Sequence, residues 1–156
     1  MSKRKEGLTV LWVDDDGPER FMYEQFVLER QGWRIRWALN MLEAANYLKD
    51  MLFPVVIMDQ MFPIQDDEPS AWGGYLLLAW MRGEKEIDPA APCLPAEICR
   101  SEPLEGNRAA VVIIASAFFD KATSDALACL PHQAKTMVIP KPIHTDSLMR
   151  AIEGLR

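Results

Sequence analysis

The sequence has no long apolar run and only three cysteines, and both absences narrow what the protein can be. No stretch approaches the roughly 18 apolar residues of a membrane-spanning helix, and the apolar run Leu8–Val13 is too short for a signal peptide. The cysteines, Cys93, Cys99 and Cys129, are odd in number and lack metal-ligand spacing, which argues against a disulfide framework and a zinc site. We therefore expect a cytoplasmic protein without a membrane segment.

An excess of positive charge and a glycine-rich phosphate loop are missing as well. The formal net charge is −6, so we expect no direct nucleic-acid binding. No glycine-rich segment follows a strand-like run, which excludes the common nucleotide-binding loops. The composition is that of an ordinary globular domain, with 49% apolar and 26% charged residues in a chain of 156. We expect a single domain over residues 1–156, with a polar tail at 1–7.

Five short apolar runs alternate with segments of helical character. The predicted strands are Leu8–Val13, Trp33–Ala38, Val55–Asp59, Val111–Ala115 and Thr136–Pro140. The predicted helices cover residues 16–31, 40–51, 74–82 and 120–130, and a last helix begins at 145 or 146. This alternation predicts an α/β fold in which a five-stranded parallel sheet carries helices on both faces, joined by right-handed crossovers.

Local signals predict the helix ends and the buried helix faces. Asp16, with Glu19 three residues later, predicts an N-cap for the first helix, and Asn40 predicts one for the second. Apolar residues at helical spacing predict the buried faces. They are Phe21, Phe26 and Val27 in the first helix, Leu42, Ala45, Leu48 and Leu52 in the second, and Leu148, Ile152 and Leu155 in the last.

Polar side chains stand where four of these strands end. Asp14 and Asp15 follow the first strand, Asp59 ends the third, Ser116 follows the fourth, and Lys141 follows the fifth. With the strand order 2-1-3-4-5, these ends meet at the sheet edge where such folds bind ligands. Clustered carboxylates need a cation, and oxygen ligands of this kind suit Mg²⁺. Such a site can accept a phosphoryl group, with Asp59 as the nucleophile, Lys141 as the neutralising ammonium and Ser116 as a hydroxyl donor.

Four motifs occur in order at the ends of the predicted strands. They are Trp12-Val13-Asp14-Asp15, Met58-Asp59-Gln60-Met61-Phe62-Pro63, Ile114-Ala115-Ser116-Ala117 and Lys141-Pro142. Each motif alone is weak, but the ordered set, over about residues 8–155, resembles the receiver domains of two-component response regulators. The resemblance implies a flavodoxin-like fold, for which the chemotaxis member of that family is a standard example of the strand order.

The resemblance also implies a role for each site residue. Asp59 corresponds to the phosphorylated aspartate, Ser116 to the Ser/Thr that moves toward the phosphoryl group, and Lys141 to the lysine that precedes a proline. The implied cofactor is Mg²⁺. Its implied ligands are Asp15 directly, Asp14 through water, Asp59, and the backbone carbonyl of Met61.

The chain departs from the family pattern at several positions. Val138, three residues before the lysine, stands where family members commonly carry Tyr or Phe. Met61 and Phe118 occupy two positions that in the family influence how water reaches the acyl phosphate, and neither side chain can orient a water by hydrogen bonding, so we expect slow self-dephosphorylation. Two stretches, 62–73 and 83–108, are longer than the minimal fold needs and are interpreted as loop insertions, either solvated, packed or disordered, or partner-binding.

The function implied by the resemblance is that of a single-domain response regulator. Asp59 would accept a phosphoryl group, with Mg²⁺, from a sensor histidine kinase or a histidine phosphotransfer protein. Because the chain ends just after the last helix, output would pass to a downstream protein target by protein–protein contact, from a monomer or weak homodimer. The domain would not be an enzyme beyond its own autophosphorylation and autodephosphorylation.

Two other functions share part of this residue pattern. A degenerate receiver that binds proteins independently of phosphorylation is favoured by Val138 and by the insertions. An aspartate-nucleophile phosphohydrolase fits poorly, because Met61 stands where those enzymes usually carry a second aspartate.

Overall fold

The computed structural model describes residues 8–65, 68–116, 121–131 and 135–154. These residues form a five-stranded sheet in the order β2-β1-β3-β4-β5, with every neighbouring pair of strands parallel. The strands are β1 (Thr9–Val13), β2 (Arg34–Ala38), β3 (Val55–Asp59), β4 (Val111–Ser116) and β5 (Thr136–Pro140). The predicted strand order and the parallel pairing are confirmed.

Helices connect the strands and cover both faces of the sheet. They are α1 (Gly17–Arg20), α2 (Met22–Arg30), α3 (Met41–Asp50), α4 (Gly73–Arg82), α5 (Ala96–Cys99), α6 (Lys121–Ala128) and α7 (Thr145–Gly154), with a 3-10 helix at Glu105–Asn107. In α7 the predicted residues Leu148 and Ile152 are buried, and Leu155 lies outside the described residues. Within the described part of the chain, every helix is too short or too polar to cross a bilayer.

The two faces of the sheet support two separate cores. Along β3, Val56 and Met58 point to the face covered by α3, α4 and α6, whereas Val55 and Ile57 point to the face covered by α2 and α7. A strand buried on both faces has to be apolar at successive positions, which explains the continuous run in the sequence. Full burial of each such side chain contributes about 1.5–3 kcal/mol. The first polar residue of β3, Asp59, therefore comes where the strand leaves the core.

The first predicted helix is interrupted, and this overturns two expectations. The chain breaks at Phe21 into α1 and α2, and the Asp16 side chain accepts no capping hydrogen bond among the described residues but forms an ion pair with Arg20. Phe21 is buried as predicted, whereas Phe26 is 55% exposed and Leu28 is the buried residue of α2. Phe26 and Leu28 are two residues apart in α2, which is about 200° around the helix axis, so Phe26 lies on the face opposite to the buried Leu28.

The second predicted helix is confirmed at both ends, and only the predicted burial of Leu52 is wrong. Asn40 Oδ1 accepts a hydrogen bond from the Glu43 backbone N–H at 2.9 Å, which caps α3. Leu52 is 63% exposed, because the helix ends at Asp50 before the predicted stripe reaches it. The members of the stripe that pack in the core are Leu42, Ala45 and Leu48.

The 83–108 segment is folded against the domain on the face covered by α4. It contains α5 and the 3-10 helix. The buried indole of Trp80 donates hydrogen bonds to the backbone oxygens of Ile98 and Ser101, both at 3.0 Å. Ile98 itself is buried in the core. The segment thus contributes to the core instead of projecting into solvent.

Asn107 joins the far end of the same segment to α3 and β3. Its side chain is fully buried, and its Nδ2 donates to the carbonyl oxygens of Leu48 and Met51 at 2.8 and 2.7 Å. Its Oδ1 accepts from the Phe53 backbone N–H at 2.9 Å. These bonds satisfy backbone groups just after the end of α3, and the Leu48 oxygen also accepts from the Leu104 N–H at 2.9 Å.

Arg82, the last residue of α4, is also buried and is held by oxygen acceptors. Its guanidinium donates to the carbonyl oxygens of Arg108 and Ala110, each at 2.8 Å, and to Thr136 Oγ1 at 3.0 Å. Burial lowers the pKa of Arg82 to about 10. The side chain therefore connects α4 to the starts of β4 and β5.

The 62–73 segment is anchored by its backbone. Phe62 is buried and its carbonyl oxygen accepts from the Ser70 N–H at 3.2 Å, forming an isolated antiparallel bridge. The first N–H groups of α3, those of Met41 and Leu42, donate to the carbonyl oxygens of residues 63 and 64 at 2.9 and 3.1 Å. The acidic residues at 66 and 67 lie outside the described residues. The described part of this segment is therefore tied to both β3 and α3.

Candidate functional site

The carboxyl ends of β1, β3, β4 and β5 meet at one edge of the sheet. The register aligns Val13 with Met58, Asp59 with Ala115, and Ser116 with Pro140. Each predicted polar residue therefore lies at or just beyond the last aligned position of its strand. In open parallel sheets this edge is where functional groups converge.

Three carboxylates come together there. One oxygen from each of Asp14, Asp15 and Asp59 lies within 4.8 Å of the others. Asp14 is buried, Asp15 is exposed, and Asp59 is partly buried. Three carboxylate oxygens form a suitable site for a small, hard divalent cation such as Mg²⁺, which keeps some of its bound waters. The donor set therefore fits the cofactor that the sequence predicts.

Lys141 lies against the same carboxylates. Its Nζ is 2.8 Å from Asp59 Oδ2 and 3.7 Å from Asp14 Oδ2. Its backbone N–H donates to the Ser116 carbonyl oxygen at 2.9 Å, which ties the lysine to the end of β4. The ammonium is thus held over Asp59 by the sheet itself.

Burial changes the acidity of this cluster. The pKa of Asp14 is raised to about 6, chiefly because burial removes water from the carboxylate, with the charge of Asp59 adding to the increase. The Asp16 N–H, which donates to Asp14 Oδ1 at 2.9 Å, and the ammonium of Lys141 act in the opposite direction. Desolvation also raises the pKa of Asp15. Crowded and poorly solvated carboxylates favour uptake of a cation or a proton.

Ser116 follows Ala115, the residue of β4 aligned with Asp59, and Met61 is two residues after Asp59. Ser116 is buried at the end of β4. Met61 has an exposed side chain, and its backbone N–H donates to Asp59 Oδ1 at 3.3 Å. Phe118, for which the resemblance to receiver domains implies an influence on water access, lies outside the described residues. Val138, at the position usually aromatic in the family, is 43% exposed on β5.

The sequence analysis assigns no structural role to Gly73 and Gly74, and the structure shows one for each. The Gly74 N–H donates to the Gln60 carbonyl oxygen at 3.1 Å, and a Cβ at Gly74 would lie 3.0 Å from the Asp59 carbonyl oxygen. A Cβ at Gly73 would lie 2.7 Å from the Phe62 carbonyl oxygen. The start of α4 therefore rests on the backbone that carries Asp59, which is possible only without side chains. A glycine pair at the start of a strongly apolar helix was the available signal.

In comparisons with known proteins, the chain matches solved structures but no family model and no curated sequence. No family model matches the chain, and a search of curated proteins finds no relative. Solved structures do match: the receiver domain of a Francisella response regulator has 20% identity and a TM-score of 0.62, with 96% of each chain covered.

Two further matches extend this picture. The receiver domain of a sensor histidine kinase from Pseudomonas aeruginosa, with a magnesium ion in its active-site cleft, has 16% identity and a TM-score of 0.64, over 94% of this chain and 95% of that one. A CheY-like receiver domain protein from Methanospirillum hungatei has 18% identity and a TM-score of 0.63, over 93% and 90%. The strand order is that of these domains, and the matches cover nearly the whole chain. The chain therefore has the fold of the response-regulator receiver domains.

Proposed function

We propose that the protein is a response regulator whose Asp59 accepts a phosphoryl group in the presence of Mg²⁺. The observation that carries the proposal is the position of Lys141 Nζ, 2.8 Å from Asp59 Oδ2, beside a second and a third carboxylate. An ammonium and clustered acids around one carboxylate are what phosphoryl transfer to an aspartate requires. Asp14 and Asp15, with Asp59 and the backbone carbonyl of Met61, would hold the metal.

In the proposed reaction, a carboxylate oxygen of Asp59 attacks the phosphorus of a phosphohistidine. A P–O bond to Asp59 forms while the P–N bond breaks, and the bonding electrons return to the donor imidazole. Bound Mg²⁺ would neutralise charge on the phosphoryl oxygens. Lys141 neutralises the remaining charge, and the Ser116 hydroxyl donates a hydrogen bond to a phosphoryl oxygen. The domain is a phosphoacceptor in this proposal, with autophosphorylation and autodephosphorylation as its only reactions.

The proposed donor is a sensor histidine kinase or a histidine phosphotransfer protein, and the proposed output is contact with a downstream protein. The fold match to receiver domains of response regulators and of a sensor histidine kinase supports this assignment. In this proposal residues 1–156 work as one cytoplasmic domain, monomeric or weakly dimeric, with 62–73 and 83–108 as its insertions.

One observation favours a second candidate, a receiver that binds partners without phosphorylation. Val138 leaves the usual aromatic position of β5 with a small, exposed side chain. An aromatic side chain that could follow a movement of Ser116 is absent from that position. In this candidate, the insertions would supply the binding surface in place of a phosphorylation-dependent one.

Acetyl phosphate with Mg²⁺ distinguishes the two candidates. The phosphoacceptor gains the mass of one phosphoryl group, and peptide mapping places that group on Asp59. Asp59→Asn abolishes the gain, while Asp50→Asn, a change of an exposed residue at the end of α3, leaves it intact. Beryllofluoride with Mg²⁺ should also change the fluorescence of Trp12, which is buried beside the acidic cluster and stacks on Trp37 at 4.9 Å. An unmodified Asp59 and an unchanged emission would favour the binding module.

A further inference from the structure

Gln60, the residue after Asp59, is buried with only part of its side chain satisfied by hydrogen bonds. The residue is 4% exposed. Its Nε2 donates to the Ala71 carbonyl oxygen at 3.3 Å, whereas its Oε1 is buried and accepts no hydrogen bond from the residues that the structure describes. A buried amide oxygen without a donor is unfavourable. A shift of the loop that gives Oε1 a donor would therefore stabilise this side chain.

Gln60 holds the chain on both sides of Trp72. Its side chain contacts the Ala71 carbonyl oxygen, and its own carbonyl oxygen accepts from the Gly74 N–H at 3.1 Å. The Trp72 ring packs edge-on against Tyr75, with the ring centroids 5.4 Å apart and the planes at 75°. A shift of Gln60 would therefore move the backbone that carries this ring pair.

Tyr75 connects this stretch to the 83–108 segment. The residue is buried, and its hydroxyl oxygen accepts a hydrogen bond from the Asp88 backbone N–H at 2.9 Å. The Asp88 carboxylate and carbonyl oxygens in turn accept from backbone N–H groups within the turn at 88–91, at 2.9 and 3.0 Å. Hydrogen bonds and one ring contact therefore join the residue after Asp59 to a turn of the 83–108 segment.

Phosphorylation of Asp59 would act directly on the backbone around Gln60. In the unmodified protein the Met61 N–H donates to Asp59 Oδ1 at 3.3 Å. A phosphoryl group changes the size and charge of the group that this N–H contacts, and Gln60 lies between the two residues. On β5, Val138 leaves the chain without the aromatic side chain that is usual at that position in receiver domains. The contacts of Gln60 provide a route out of the site that does not need that aromatic side chain.

We propose that phosphorylation of Asp59 changes the conformation of the turn at 88–91. The change passes from Gln60 to Trp72 and from there to Tyr75, whose hydroxyl holds the turn. This inference rests on the phosphoacceptor function proposed above and adds a second region of the molecule that responds to it. The 83–108 segment then presents a different surface to a downstream protein in each state of Asp59.

Hydrogen exchange of the full chain, with and without beryllofluoride and Mg²⁺, tests the proposal, because beryllofluoride stands in for the phosphoryl group on an aspartate. We expect the exchange rates of the Ala90 and Ala91 amides to change about fivefold or more. Amides of the 3-10 helix at Glu105–Asn107, in the same segment but anchored to α3 by Asn107, should keep their rates. Unchanged rates in the turn, in a protein that acetyl phosphate phosphorylates on Asp59, would overturn this inference alone. A protein with no phosphoryl uptake and no response to beryllofluoride would overturn the proposed function as well.

Two variants test the route itself. Tyr75→Phe removes the hydroxyl that accepts from the Asp88 N–H and keeps the buried ring. Gln60→Leu removes the amide at nearly constant volume. In each variant the response of the Ala91 amide to beryllofluoride should fall below about twofold, because one contact of the series is missing.

Phosphorylation and two matched controls separate the route from general damage to the fold. Acetyl phosphate should phosphorylate Asp59 in Tyr75→Phe at the parent rate, since the hydroxyl is remote from the site. Tyr47→Phe on α3 and Gln25→Leu on α2 make the same chemical changes elsewhere and should respond like the parent protein. A full response of the turn in Tyr75→Phe, or an equal loss in either control, would overturn the proposal.

Discussion

The Lys141 ammonium and the Asp59 carboxylate lie 2.8 Å apart, and each side chain is only 12% exposed. A pair so shielded from solvent interacts more strongly than a surface ion pair. The lysine is thus placed where charge builds up when Asp59 is phosphorylated.

Replacing Lys141 tests that placement. Lys141→Met keeps the apolar stem and removes the charge, and we expect phosphorylation of Asp59 by acetyl phosphate to slow about a hundredfold. The rate is measured by mass spectrometry over time. Lys121→Met, which alters an exposed lysine of α6, is the control and should keep the parent rate. A Lys141→Met rate within a factor of about three of the parent would contradict the role.

The raised pKa of Asp14 predicts how stability depends on pH without metal. Its folded pKa is about 6 and its ordinary value is 3.8, so between these values the folded state binds more protons than the unfolded state. The free energy of unfolding should therefore fall as pH rises from about 4 to about 6 and stay lower above that, by about 3 kcal/mol from this group. Urea unfolding at several pH values in EDTA measures it.

The same reasoning predicts the behaviour of Asp14→Asn. We expect this variant to be more stable than the parent protein at pH 7 in EDTA and to lose the stabilisation that Mg²⁺ gives the parent. Below about pH 6, protons should compete with Mg²⁺ in the parent protein. Asp50→Asn is the control for removing one negative charge. A stability that rises with pH through this range, unchanged by Asp14→Asn, would disprove the assignment.

The contact between α4 and the Asp59 backbone predicts a steric effect of Gly74→Ala. The added methyl meets a backbone oxygen at 3.0 Å, so the start of α4 or the Asp59 strand end has to shift. We expect a loss of about 1–3 kcal/mol of stability and slower phosphorylation. Gly106→Ala is the control, because its methyl would meet only the exposed Leu52 side chain, which can rotate away. Equal effects of the two variants on phosphorylation would contradict this prediction.

Asn107 should matter for stability and not for phosphorylation. Asn107→Ala leaves the Met51 carbonyl oxygen and the Phe53 N–H without their partners, while the Leu48 oxygen keeps the Leu104 N–H, so the free energy of unfolding should fall by about 2–4 kcal/mol. Asn46→Ala, at an exposed position of α3, should change it little. Phosphorylation of Asp59 below the unfolding transition should proceed at the parent rate. A slower reaction in Asn107→Ala would mean that this contact also supports the site.

Self-dephosphorylation is predicted to be slow. The Met61 side chain is exposed beside Asp59 and cannot align a water, and Phe118 is predicted to act in the same way. Met61→Asn and Phe118→Gln should each speed decay of the Asp59 phosphate about tenfold. Met22→Asn, at an exposed position of α2, is the control. Decay of the parent phosphate within seconds would refute this expectation.

The sequence predicts the sheet well because strands buried on both faces consist of consecutive apolar residues, which are easy to recognise. The run before Asp59 is apolar at successive positions and spans only five residues, which fits a strand buried on both faces. Helix faces are less certain, since Phe26 and Leu52 are apolar yet exposed. Their exposure depends on a break at Phe21 and on where α3 ends, neither of which follows from periodicity.

The remaining contacts could not be predicted, because their partners are far apart in the sequence. Asn107 binds backbone groups of Leu48, Met51 and Phe53, and nothing around residue 107 indicates those partners. The carboxylate cluster was predictable, because each member ends its own strand and the topology brings those ends together.

Both additional segments are attached to the two ends of one helix, α4: residues 62–72 lead into Gly73, and 83–108 begin at Gly83. Both segments therefore lie outside the five strands of the sheet. The longer of the two cannot simply be trimmed to the minimal receiver length. A shortened chain would leave the Trp80 indole without acceptors and the carbonyls at the end of α3 without donors, so any deletion must be accompanied by new residues at those positions.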